Sequence, residues 1–144
     1  MFSVCASKRC RLTAGSVLTA VVVTGILGCG TSDPFNKLPV KGKITYEDGS
    51  LIPAVRIRIR FTPLTPPIDQ KIYPRPGTAE VNVVDGTFSS ATTRDYGDGL
   101  VVGRHAVTAT SFDKDDQETE LPVTPAEIEI GKGTTDFQFK VKKP

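Results

Sequence analysis

The stretch AVRIRIRF (54–61) constrains this chain more than any other: Val55, Ile57, Ile59 and Phe61 fall on one parity and Arg56, Arg58 and Arg60 on the other. A period of two belongs to a strand with one buried face, because successive side chains of an extended backbone point to opposite sides. The same alternation recurs from Pro39 to Val141, and no stretch of eleven or more residues carries a helical apolar stripe. Seven strands are predicted: 39–46 (PVKGKITY), 54–61, 79–84 (AEVNVV), 87–92 (TFSSAT), 103–112 (GRHAVTATSF), 126–130 (AEIEI) and 134–141 (TTDFQFKV). Asp48-Gly49, Asp85-Gly86 and Gly131-Lys132-Gly133 punctuate them. Asp85-Gly86 is a hairpin signal, since a type I′ turn needs positive φ at both central residues. Together these features predict an all-β fold, an antiparallel β-sandwich. The five prolines of TPLTPPIDQKIYPRPG (62–77) exclude a central strand there and predict a stiff exposed loop.

Ahead of the strands, the basic KRCR (8–11) leads into Leu12–Leu27, sixteen residues without a charge. As a helix that run would be about 24 Å long, short of the roughly 30 Å hydrocarbon core, and it suits the apolar part of an export signal. Its exit, Ile26-Leu27-Gly28-Cys29, resembles the lipobox of bacterial lipoproteins: aliphatic, variable, small, then cysteine. The resemblance implies cleavage after Gly28 and lipid attachment at Cys29, with acyl chains of the palmitate type. At about 0.8 kcal/mol per buried methylene, two or three chains hold a protein on a membrane permanently. Two other readings of the residues stay open: cleavage after Gly30 by a general signal peptidase, and a retained anchor. Under Gram-negative sorting rules Gly30, where a retention signal would carry Asp, points to the outer membrane. The organisation expected is a signal peptide (1–28), a flexible tether (29–38, CGTSDPFNKL) and a β-sandwich domain (39–144).

Charge and cysteines narrow the function. Of 18 basic residues, Lys8, Arg9 and Arg11 precede the apolar run, leaving 15 against 16 acidic ones. A nearly neutral domain argues against nucleic-acid binding. The cysteines are Cys5, Cys10 and Cys29, so the 115 residues after Cys29 hold no disulfide and no thiolate metal site.

VKGKITYEDGSLIPAVRIRIRF (40–61) resembles the opening of carboxypeptidase regulatory-like domains, with their Val-x-Gly-x-Val strand, Gly-containing turn and second strand. VVDGTFSSAT is similar to that family's Asp-Gly-x-Phe hairpin, VVGRHAVTATS to its Gly-x-aromatic-x-Val strand and GTTDFQFKV to its closing strand. The resemblance covers 40–141 and implies a seven-stranded Greek-key sandwich of transthyretin-like or immunoglobulin-like type. Two departures stand out: the proline-rich loop is long, and DKDDQETELPVTP (113–125) lacks the apolar residues usual before strand six. Transthyretin-like hydrolases of a purine breakdown product need several histidines and a C-terminal Tyr-Arg-Gly-Ser. This chain has one histidine and ends FQFKVKKP, so that activity does not carry over.

His105, the lone histidine, sits where the family places a ring facing the core, and it is read as packing rather than as a catalytic base. Asp113, Asp115, Asp116 and Glu118 lack the glycine and distal glutamate of an EF-hand loop and read as a solvated acidic loop; no metal or cofactor is implied. Arg56, Arg58 and Arg60 are a candidate face for an anionic polymer, weighed against outward pairing with Glu127 and Glu129, whose spacing matches. Tyr73 and Tyr96 are candidate loop contacts. The function expected is a non-enzymatic, lipid-anchored cell-envelope protein that offers a β-sandwich for structural or protein–protein contact, with loops 62–77 and 93–102 as contact surfaces. Its partners would be the membrane, through the lipid, and an envelope protein or polysaccharide. The alternative is a secreted module that binds anionic glycan through the three arginines.

Overall fold

The computed structural model describes residues 33–144. The signal segment, Cys29 and the first residues of the tether lie outside the described residues. Those described contain strands and no helix. In chain order the strands are β1 (Lys37–Leu38), β2 (Lys41–Tyr46), β3 (Arg56–Pro63), β4 (Gly77–Val81), β5 (Thr87–Phe88), β6 (Leu100–Val101), β7 (Gly103–Phe112), β8 (Glu118–Leu121), β9 (Val123–Thr124), β10 (Glu127–Ile130) and β11 (Asp136–Val141). One sheet runs β10-β7-β3-β4, with β8 also on β7; a second runs β5-β2-β11-β9; β1 and β6 form a separate pair.

The parity read from the sequence is the parity that buries. Ile57, Ile59 and Phe61 of β3 point inward, as do Val107 and Ala109 of β7, Ile128 and Ile130 of β10, and Phe137, Phe139 and Val141 of β11. The two larger sheets meet through these side chains in a sandwich-like arrangement. Phe61 from the first sheet lies 6.1 Å and 6.2 Å, ring to ring, from Phe88 and Phe139 of the second, and Phe88 and Phe139 lie 6.0 Å apart. Such tilted and offset rings add to the area they bury.

Four expectations need correction. The sandwich is not wholly antiparallel: β2 and β11 pair in parallel, Asp136 opposite Lys41 through Val141 opposite Tyr46. The turn after β10 carries the chain from one sheet to the other, so β11 starts at the same end of the domain as β2. The Asp85-Gly86 segment does turn the chain back on itself, with the Asn82 amide donating to the Thr87 carbonyl (2.8 Å) and Thr78 and Thr92 exchanging backbone hydrogen bonds (both 2.8 Å), but the turn is not of the expected type. Gly86 has φ +77° while Asp85 keeps negative φ, so no type I′ turn forms. Instead the Gly86 carbonyl accepts from the Ile44 amide (2.8 Å), handing the chain to the second sheet.

The acidic segment after β7 also holds strands: β8 lies on β7, with Thr110 opposite Glu120, and β9 pairs with β11. Its charged residues give no apolar alternation to read. What makes β8 a strand is the edge of β7 beyond β10, whose backbone groups need partners. Finally, the folded unit extends N-terminal of residue 39. Lys37 and Leu38 pair with Val101 and Leu100, and Lys37 is held by two carboxylates. Asp33–Leu38 therefore belong to the domain rather than to a free tether. The proline-rich segment is an exposed loop, shorter than expected by the residues that β3 and β4 take from its ends.

Candidate functional site

Two surfaces and one buried side chain carry chemistry, and the first is the arginine face of β3. Arg56, Arg58 and Arg60 point away from the core, as their parity requires. The neighbours of β3 are β4 and β7, not β10, so Glu127 and Glu129 are out of position to pair with these arginines. Arg58 Nε donates to Glu80 Oε1 (2.9 Å) directly across the β3–β4 register, and Arg56 Nη2 donates to Asp116 Oδ1 (3.0 Å). Glu127 takes Arg104 instead. The Arg56 guanidinium also lies 4.0 Å from the centre of the Phe112 ring, with that of Arg58 at 5.5 Å. These two side chains cover an aromatic ring on the outer face, a cation–π contact. Arg60 stands between Thr78 and Thr108 in the register, with no ion pair among the described residues. Exposed pairs like these each contribute about 0–1 kcal/mol; their effect here is to neutralise two of the three charges of the candidate face.

The second surface is the end of the domain where the described chain begins. Lys37 Nζ lies 2.7 Å from Asp33 Oδ2 and 2.8 Å from Asp98 Oδ2. Asp98 also accepts from the amides of Thr93 (2.7 Å), Arg94 (3.1 Å) and Asp95 (3.2 Å), and the Thr93 hydroxyl donates to the Gly99 carbonyl (2.5 Å). Burial by itself would raise the Asp98 carboxyl, but the Lys37 ammonium and the three amides outweigh it and hold the group below its usual value. Its stabilising effect is present above the unfolded-state value of about 3.8 and is lost as pH falls through the folded one. Asp98→Ala should cost about 1–3 kcal/mol, as it leaves the three amides without their acceptor and Lys37 with Asp33 alone. Asp98→Asn should cost less, because an amide oxygen can still accept from the backbone. Urea unfolding of the two variants checks the order; equal losses would mean that the carboxylate charge does not matter.

Tyr96 projects from this loop and Tyr73 from the segment between β3 and β4, both exposed. Tyr96 also borders an open groove of about 430 Å³ between β4 and β5, lined with the hydroxyls of Thr78, Thr87, Ser89 and Thr92 and by Glu80. Tyr73 does not line that groove. In the acidic loop, Asp113 Oδ1 accepts from the amides of Asp115 (2.8 Å) and Gln117 (2.9 Å), so this carboxylate shapes its own turn. No group of three or more His, Cys, Asp or Glu among the described residues is arranged to hold a metal.

His105 is the third feature. It is fully buried on β7, with Nδ1 3.1 Å from the Gly103 carbonyl and Nε2 without a partner. With Nδ1–H donating, Nε2 is a bare lone pair, and protonation would bury an N–H facing no acceptor. Burial therefore lowers the imidazole below its ordinary 6.5, against a smaller opposing effect of the Gly103 hydrogen bond. The unfolded chain then binds more protons than the folded one below about pH 6.5, so stability should fall as pH drops from there toward the folded-state value. Urea midpoints at about pH 7.5 and about pH 5 should differ for the native chain and nearly coincide for His105→Leu. An equal drop in the variant would assign the acid sensitivity elsewhere.

Lys37, Glu80 and Phe112 are the residues at these surfaces that sequence reasoning missed. Only Phe112 left a local trace, on the polar parity of GRHAVTATSF. No family model, no curated protein and no solved structure matches this chain.

Proposed function

We propose that this is a lipid-anchored cell-envelope protein, non-enzymatic, that holds a β-sandwich at a membrane surface for structural or protein–protein contact. In this reading residues 1–28 are a lipoprotein signal peptide and Cys29 carries the lipid. The seven strands expected from the sequence make a Greek-key sandwich of the carboxypeptidase regulatory-like, transthyretin-like kind, and β1, β6, β8 and β9 are additions to it. The observation that carries the reading is the apolar surface of the end loops. Leu64, Ile68, Ile72 and Tyr73 are exposed between β3 and β4, and Tyr96 and Val102 beside β6. Four of these lie on the one β3–β4 loop, and exposed apolar groups gathered on one loop are a signature of contact surfaces. The lone histidine supports the non-enzymatic part, since it is sealed in the interior.

The test is the mass of the N-terminal peptide of the mature protein, with membrane partition of the native chain and of Cys29→Ala. A peptide beginning at an acylated Cys29, and a variant whose precursor accumulates, support the anchor. An unmodified peptide beginning at Thr31, with soluble protein, rejects it and favours the secreted module.

The glycan reading draws on one observation, the unpaired Arg60. It requires salt-sensitive retention on a polygalacturonate column that Arg60→Glu abolishes. The envelope reading predicts the same elution for both proteins.

A further inference from the structure

The end of the domain at which the described chain begins is also the end that exposes most of its large apolar side chains. Val102 donates its amide to the Asn36 carbonyl (2.9 Å), and Leu64 donates its amide to the Arg104 carbonyl (2.8 Å). The first turn of the β3–β4 loop therefore lies beside the β1–β6 pair. From this end project Ile68 and Tyr73, 61% and 58% exposed, and Tyr96, 90% exposed, together with Leu64, Ile72 and Val102. The tip that carries Ile68 and Ile72 is braced: Asp69 Oδ1 accepts from the amides of Lys71 and Ile72 (both 2.7 Å), and the Ile68 amide donates to the Ile72 carbonyl (2.8 Å). Lys71, Arg75 and Arg94 are exposed on the same loops, alongside the exposed Asp69 and Asp95. Apolar tips, tyrosines and interleaved cations are the composition of surfaces that settle at the headgroup level of a bilayer.

Chain length supplies the second argument. Ten free residues from Cys29 to Leu38 could hold the domain up to about 35 Å from a lipidated cysteine. With Asp33–Leu38 built into the fold, only four residue steps separate Cys29 from Asp33, a reach of at most about 14 Å.

We propose that this end docks on the bilayer that holds the Cys29 lipid, with Ile68, Ile72 and Tyr73 entering the boundary between headgroups and acyl chains. The proposal rests on the lipid-anchor reading and names the membrane itself as what the end loops touch. The arginine face and the opposite end, with Val84, then remain turned to water.

The chain has no tryptophan, so one indole is an unambiguous reporter. Ile68→Trp and Val84→Trp each replace an exposed side chain, 61% and 78% accessible, and should leave folding intact. Each full-length protein, processed in cells, is reconstituted into vesicles of phosphatidylethanolamine and phosphatidylglycerol with brominated acyl chains. The N-terminal peptide mass is read on the same samples. The Ile68→Trp indole should emit to the blue and be quenched several-fold by the brominated lipid, while the Val84→Trp indole is quenched by aqueous iodide. Water-exposed indoles in both variants on an acylated protein would overturn the docking and leave the anchor standing. An unacylated chain whose Ile68→Trp indole is still quenched by lipid would keep the docking and remove the anchor. An unacylated chain with both indoles in water would overturn both.

Discussion

Phe61→Ala should lower the stability of the domain by about 3–5 kcal/mol, the range for deleting a buried aromatic ring. Phe61 is fully buried in the centre of β3, and its ring reaches across the interface to Phe88 and Phe139. Removing it opens a cavity between two sheets whose backbones are each tied into their own ladders, so the walls cannot collapse to fill it. Since a domain of this size has about 5–15 kcal/mol in total, the variant should be partly unfolded at moderate temperature. Urea unfolding should show a much lower midpoint with an unchanged slope. Phe61→Leu, which restores most of the volume, should recover all but about 1.5 kcal/mol. A loss below about 1 kcal/mol for the alanine variant would mean that Phe61 does not join the sheets.

Gly42→Ala should be as damaging, although it adds a single methyl group. Gly42 lies in β2 with Phe137 beside it in the parallel pair and Phe88 opposite it in the antiparallel one. A Cβ at this position would overlap the Phe137 carbonyl oxygen and come within 2.7 Å of the Phe88 ring. The ring can turn, but the carbonyl belongs to the neighbouring strand, so relief requires β2 and β11 to part. Overpacking that side chains can absorb costs about 1–3 kcal/mol; a backbone obstacle should reach or exceed the top of that range. Gly49→Ala is the control. Gly49 has φ +85° with nothing within 4 Å of a Cβ, so only the left-handed conformation is penalised, at about 1–2 kcal/mol. Similar losses at the two positions in thermal unfolding would show that close approach at Gly42 is not what matters.

Gly42 marks a limit of reading this chain locally. Its place in the VKGKITY stretch is plain in the sequence, as the glycine of the Val-x-Gly-x-Val resemblance, but the obstacle belongs to a residue ninety-five positions away. The Lys37–Asp98 pair is of the same kind. The composition of GTSDPFNKLP reads as linker, and only a carboxylate sixty-one residues further on makes Lys37 part of the domain. On the arginine face, spacing pointed to Glu127 and Glu129, whereas the actual partners Glu80 and Asp116 were chosen by which strand lies beside β3.

What the sequence by itself determined is which side of β3, β7, β10 and β11 is buried. Alternation in β3, β7, β10 and β11 is a property of neighbouring residues, and an extended backbone turns it directly into an inner and an outer face. It also determined that the fold is all-β and that the proline-rich segment is a loop. Only the tertiary structure decided which strands pair, that β2 and β11 run parallel, that β5 joins β2 in the second sheet, and that Asp33–Leu38 join the domain. Parity leaves every strand with a buried face and two unpaired edges. Which edges meet depends on the simultaneous burial of all the faces and on backbone partners far apart in the chain, and no local window of residues contains that competition.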